Sequence, residues 1–148
     1  MKFAVLHGPN LNRLGKREPH IYGTATLKDL EQHIRADAKA AGARVVFFQS
    51  NHEGVLIDRI HALADAGIDG FIVNFGAYTH TSIALHDALK SVAPLPAVEV
   101  HLSDIKRREK FRRHSYTAAA CIGMISGKGF AGYTEALHLL AKQVAAAR

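Results

Sequence analysis

Ala66-Gly67-Ile68-Asp69-Gly70-Phe71-Ile72-Val73-Asn74 closes one helical pattern and opens a short apolar run. Upstream, Leu56, Ile60 and Leu63 recur at helical spacing up to Gly67, and the periodicity then changes at Gly70-Phe71-Ile72-Val73, which reads as a buried strand. The same change occurs further upstream. Thr26-Leu27-Lys28-Asp29 matches a capping-box start, Leu27, Leu30, Ile34, Ala38 and Ala41 share one helix face, and Gly42 stops the helix before a strand from Ala43 to Gln49. Before that lies Lys2-Phe3-Ala4-Val5-Leu6-His7, a first strand ended by Gly8-Pro9, and between Gly8 and Gly23 a polar loop without periodicity.

Downstream the alternation continues. Asn74 to Ser82 is a polar turn, Ile83, Leu85, Ala88 and Leu89 mark a helix broken by Pro94 and Pro96, and Ala97 to Leu102 is a fourth strand. Ala118 to Ser126 is expected to be the fifth strand. The last helix turns Tyr133, Leu137, Leu140, Ala141 and Val144 inward. Apolar strands alternating with helices predict an α/β fold with a five-stranded parallel sheet covered on both faces, a three-layer sandwich of flavodoxin-like order. Its ligand crevice lies beyond the carboxyl ends of the strands.

The 148 residues suit a single domain, 1–148, with a lid loop over about 12–24. No apolar run approaches the roughly 20 residues needed to span a bilayer. The start at Met1 lacks the pattern of a signal peptide, and the single Cys121 allows no intrachain disulfide. A cytoplasmic setting is expected. The net charge of +6 is concentrated: residues 106–113 carry six positive charges against Glu109. That segment can be a phosphate patch, a solvated helix face or arginines around a small anion. A nucleic-acid-binding module would interleave aromatic residues with these cations, and only Phe111 stands there. A flavin-binding or signalling domain is the other rival, and no glycine-rich phosphate loop supports it. The ten histidines are scattered without a metal-ligand pattern.

Polar residues gather after the strands: Asn10 and the loop to Tyr22, then Asn51, His52 and Glu53, then Asn74 and His80, then His101 and Ser103. Glu99 and His101, two residues apart on one strand, share a face. A carboxylate beside an imidazole favours the protonated ring and suits a general acid, while a core carboxylate paired with an arginine is the alternative for Glu99. In the loop, Arg17 stands five residues ahead of Tyr22. With a pKa near 10, only about one tyrosine in a thousand is ionised at neutral pH, so a base at Tyr22 needs such a cation.

Six motifs in order carry a family resemblance: Leu6 to Asn12, Arg17 to Gly23, Gln49 to Gly54, Asn74 with Gly76 to Ser82, Glu99 to Ser103, and Phe111 to Tyr116. The chain resembles the type II 3-dehydroquinate dehydratases, which have a flavodoxin-like fold. The resemblance implies anti elimination of water from 3-dehydroquinate through an enolate, without metal or other cofactor, in the shikimate pathway to chorismate and the aromatic amino acids. It assigns Tyr22 as base and His101 as general acid, with Arg17 and Arg108 holding Tyr22 as phenolate and Asn10 positioning the water at the enolate oxygen. Asn74, the Ser103 hydroxyl and the Leu102 backbone N–H would bind the substrate carboxylate, and Arg112 and His80 the ring hydroxyls. His80 and Asp87 lie on one helical stripe, which by itself suggests one shared site. The resemblance instead sends Asp87 into a neighbouring subunit of a trimer, with four trimers forming a dodecamer. Phe75, His86 and Lys106 stand where the family commonly has proline or a small residue, arginine and histidine.

Overall fold

A computed structural model describes residues 1–16 and 18–148, with every side chain among them except that of Tyr22. The strands are β1 (Lys2–His7), β2 (Arg44–Gln49), β3 (Gly70–Asn74), β4 (Ala97–His101) and β5 (Gly123–Ser126). All pair in parallel, in the order β2-β1-β3-β4-β5. The helices are α1 (Pro19–Tyr22), α2 (Leu27–Ala40), α3 (Glu53–Asp65), α4 (Ile83–Ser91) and α5 (Ala131–Ala146).

Side-chain alternation along the strands divides the core into two layers. Phe3 and Val5 of β1, Ile72 of β3 and Val98 of β4 pack with Leu30 and Ile34 of α2 and Leu137 and Leu140 of α5. Ala4, Leu6, Phe71 and Val73 face the other way, against Leu56 and Ile60 of α3 and Leu85 and Leu89 of α4. The result is the expected flavodoxin-like sandwich. Helix α2 starts as its sequence requires: Thr26 Oγ1 accepts the Asp29 N–H at 3.2 Å, and the Asp29 carboxylate accepts the Thr26 N–H at 2.8 Å.

One sequence expectation needs correction, and one of three open readings of the basic segment drops out. Ala118–Ala120 forms a 3-10 turn, and only Gly123–Ser126 joins the sheet. Ser115 Oγ accepts the Ala118 N–H, three alanines favour the helical turn, and the ladder resumes only where the Ile122 N–H reaches the Ala97 carbonyl. The basic segment is not a helix face either. It makes two short 3-10 turns, Ile105–Arg107 and Lys110–Arg112, that fold over the end of the sheet.

The sheet reverses its winding between β1 and β3. There Gly8 donates its N–H to the Asn74 carbonyl at 2.7 Å, and a β-carbon on Gly8 would lie 2.4 Å from the Phe75 backbone. The crossing of these two chains fixes the floor of the crevice at the switch point.

Candidate active site

The crevice beyond β1, β3 and β4 is a cavity of about 130 Å³. Among its lining residues are Asn10, Asn74, His80, His101, Leu102, Ser103, Arg108 and Arg112. Eight of the twelve residues marked out in the sequence therefore meet in one place. Glu99 lies directly behind them. Asp87 does not join them: it is exposed on α4, where its carboxylate pairs with His86 Nδ1 at 3.0 Å. Arg17 and the Tyr22 side chain lie outside the described residues.

A buried polar pair stands on β4. Glu99 is fully buried and His101 nearly so, and His101 Nε2 stands 2.7 Å from Glu99 Oε1. A carboxylate only accepts, so Nε2 carries a hydrogen and Nδ1 remains for the cavity. The other donors to Glu99 come from the segment after the basic turns. Ser115 Oγ donates to both carboxylate oxygens at 2.8 and 3.0 Å, and Thr117 Oγ1 donates to Oε2 at 2.5 Å. No arginine is among these hydrogen-bond partners, and the pairing is with the imidazole. Three donors, the His101 ring among them, thus satisfy the buried carboxylate inside the core.

His80 stacks near His101, with ring centroids 6.3 Å apart. Its Nδ1 meets the His114 carbonyl at 2.7 Å and must be the protonated nitrogen, because a carbonyl only accepts. Burial holds the His80 pKa below its ordinary value, so the neutral ring presents Nε2 as an acceptor for a hydroxyl. Neighbouring β4, Arg108 Nη1 donates to Ser103 Oγ at 3.3 Å. Glu109 lies between the arginines, its carboxyl held below the usual range first by its own backbone N–H and then by Arg108 and Arg112. The Arg112 contact, at 3.1 Å, is an ion pair and not an aligned hydrogen bond.

The β1 end carries Asn10 in the left-handed conformation, φ 68°, which asparagine tolerates better than most residues. Asn51 fixes this turn by accepting the Asn10 N–H at 3.0 Å, and Gln49 binds the Gly8 carbonyl at 3.2 Å. Gln49 and Asn51 thus hold the first loop, and Asn51, His52 and Glu53 are not among the residues that line the cavity. Phe75 is fully buried in the α3 and α4 layer, so its side chain stays out of the crevice that Asn74 faces.

Thr117, Ser115 and Tyr133 touch the site residues without having been assigned a role from the sequence. Ser115 lies within the Phe111 to Tyr116 motif. Tyr133 looks like one more inward residue of an amphipathic helix, and no local signal sets it apart. Among the described residues, no three His, Cys, Asp or Glu side chains converge in a way that would hold a metal ion. No helix among them is long and apolar enough to cross a membrane.

Comparison with known proteins bears on the family and the fold. The model of the family "Dehydroquinase class II" matches residues 1–141. A 3-dehydroquinate dehydratase from Chelativorans sp. is 57% identical over 140 residues, covering 95% of this chain and 96% of the relative. One from Herminiimonas arsenicoxydans is 54% identical with the same coverage. Among solved structures, the type II dehydroquinase from Butyrivibrio crossotus superposes with a TM-score of 0.93 at 45% identity, covering 95% of this chain and 97% of that one. With the crevice, the fold and these relatives in agreement, the chain belongs to the class II dehydroquinase family.

Proposed function

We propose that this protein removes water from 3-dehydroquinate to give 3-dehydroshikimate, by anti elimination through an enolate. The observation that carries the reading is the buried His101–Glu99 pair opening onto a cavity rimmed by arginines. Tyr22 as phenolate takes the proton beside the ketone. The enolate then expels the hydroxyl, to which His101 delivers the proton on Nδ1, and a carbon–carbon double bond forms as water leaves. Arg17 and Arg108 hold Tyr22 ionised. Lowering a tyrosine pKa by two to three units corresponds to roughly 3 to 4 kcal/mol of preference for the phenolate. Asn10 positions the water that stabilises the enolate oxygen, an oxyanion-type role.

Asn74, Ser103 Oγ and the Leu102 N–H take the substrate carboxylate, while Arg112 and neutral His80 take ring hydroxyls. The chemistry proceeds without metal or cofactor. The segment 12–24 serves as the lid of a single catalytic domain spanning 1–148, and because it carries Arg17 and Tyr22, closing it makes the base competent. Asp87 completes the site of a neighbouring subunit in a trimer, four of which form a dodecamer. The setting is cytoplasmic, in the shikimate pathway toward chorismate.

The test is the rise in ultraviolet absorbance as 3-dehydroquinate becomes a conjugated enone; an assembled protein that gives no rise overturns the assignment. The two roles separate by solvent exchange at the carbon that loses its proton. Tyr22→Phe should stop both exchange and dehydration, whereas His101→Ala should stop dehydration and leave exchange running. If exchange also stops in His101→Ala, the division of labour is wrong.

A further inference from the structure

We infer that Tyr133 is a positioning residue that locks the Asn74 side-chain amide so that an N–H, and not the carbonyl, meets the substrate carboxylate. This rests on the reading above that Asn74 binds that carboxylate.

The lock has two sides. The Gly76 backbone N–H reaches Asn74 Oδ1 at 3.2 Å, and because an N–H can only donate, the oxygen of the amide must face Gly76. Asn74 Nδ2 in turn donates to the Tyr133 hydroxyl at 3.0 Å, in a fully buried contact. An amide nitrogen carries two hydrogens in one plane, about 120° apart. With one on Tyr133 and the oxygen turned to Gly76, the second hydrogen is the donor left for the cavity that Asn74 lines. Flipped, the same amide would present an acceptor to an anion.

The fold fixes the place of Tyr133 through the backbone before it and a ring beside it. It lies in the first turn of α5 with no exposed surface. The preceding Gly132 lets that turn sit close to the sheet: a β-carbon there would lie 3.3 Å from Ile125 and 3.5 Å from Val100. The His7 ring lies 6.1 Å from the Tyr133 ring, and His7 is itself stacked on Phe47. His7 is also the register partner of Asn74 across β1 and β3, so the ring that braces Tyr133 stands beside the residue that Tyr133 orients. Burial pushes the Tyr133 hydroxyl far above its usual pKa, so it remains neutral. A neutral acceptor orients the amide without setting a negative charge beside the bound anion.

The experiment compares two probes: a hydroxylated cyclohexane carboxylate, and the same ring with its carboxylate reduced to a hydroxymethyl group. Dissociation constants are measured by calorimetry for the unsubstituted protein, Tyr133→Phe, Asn74→Ala and the double variant. Tyr133→Phe should weaken the carboxylate probe about five- to tenfold, as expected for an unpaired buried N–H, and the reduced probe less than twofold. In the Asn74→Ala background the same substitution should add nothing. In turnover, KM should rise more than kcat falls. Equal weakening of both probes by Tyr133→Phe, with Asn74→Ala still selective, overturns the lock. If Asn74→Ala itself fails to discriminate between the probes, the carboxylate reading of Asn74 falls instead. A direct readout in the unsubstituted protein guards against a variant that does not fold: one Asn74 amide proton should exchange far more slowly than the other, and equal fast exchange overturns the proposal.

Discussion

Thr117 shows how a single hydroxyl completes the hydrogen bonding of a buried carboxylate. Its hydrogen bond to Glu99, in a site without solvent, is the kind of contact to an ionised group that contributes about 1.5–3 kcal/mol. Thr117→Val keeps the shape and removes the donor. We expect turnover to fall about tenfold or more with a smaller change in KM, measured by steady-state assay. His7 makes a separate statement about stability. Burial lowers its pKa from 6.5 to about 4, neither ring nitrogen has a hydrogen-bond partner among the described residues, and Glu31 stands 3.8 Å away, too far to hold the ring protonated. Between about pH 6.5 and 4 the unfolded chain binds a proton there that the folded one refuses. Its contribution is therefore complete above pH 6.5 and lost as the pH falls through 4, by about 3 kcal/mol in all. Urea unfolding at pH 7 and pH 4.5 should show a smaller acid loss for His7→Gln than for the unsubstituted protein; equal losses would contradict this account.

At the scale of elements, the crossing of the β1 and β3 ends leaves no room for a side chain. Gly8→Ala places a methyl group 2.4 Å from Phe75 backbone atoms, which cannot rotate away. A destabilisation of about 3 kcal/mol is expected, read as a lower urea midpoint at unchanged slope. The close approach also shows what the sequence could and could not disclose. The strands β1 to β4 and helices α2 to α5 were legible because period-two and period-3.6 patterns change at Gly42, Gly67 and Gly70. The extent of β5 was not. The alternation of small apolar residues from Ala118 to Ser126 fits a strand, while the side-chain bonds of Ser115 and Thr117 to Glu99 draw the first part into a turn. In the site, the Glu99 and His101 pairing followed from strand alternation. The Ser115, Thr117 and Tyr133 contacts span 16, 18 and 59 residues, and no local pattern encodes such distances. Asp87 illustrates the same limit from the other side. Its spacing from His80 suggests a shared crevice, yet a 3-10 turn at Gly76–His80 precedes α4, so helical spacing does not extend back to His80.

Across the whole molecule, charge is unevenly placed. The 106–113 segment carries nearly all of the net positive charge and folds over the open side of the crevice, where Arg108 and Arg112 line the cavity. A carboxylate substrate approaches through this field, whose reach shrinks to about 8 Å at physiological ionic strength. The ratio kcat/KM should therefore fall several-fold between about 20 and 500 mM salt while kcat changes little. A flat profile would assign the outer cations to solubility alone. The same segment is tied down at both ends: the Ile105 N–H binds Ser126 Oγ at 3.1 Å, and the Tyr116 N–H binds the Thr79 carbonyl at 2.9 Å. Between and beside these anchors it supplies Ser103, Arg108, Arg112, Ser115 and Thr117. For redesign, residues 103–117 are one transplantable cassette. Grafted whole, it brings the cavity-lining Arg108 and Arg112 together with the hydroxyls that hold Glu99; spliced in the middle, it would combine the cavity rim of one parent with the Glu99-holding hydroxyls of another.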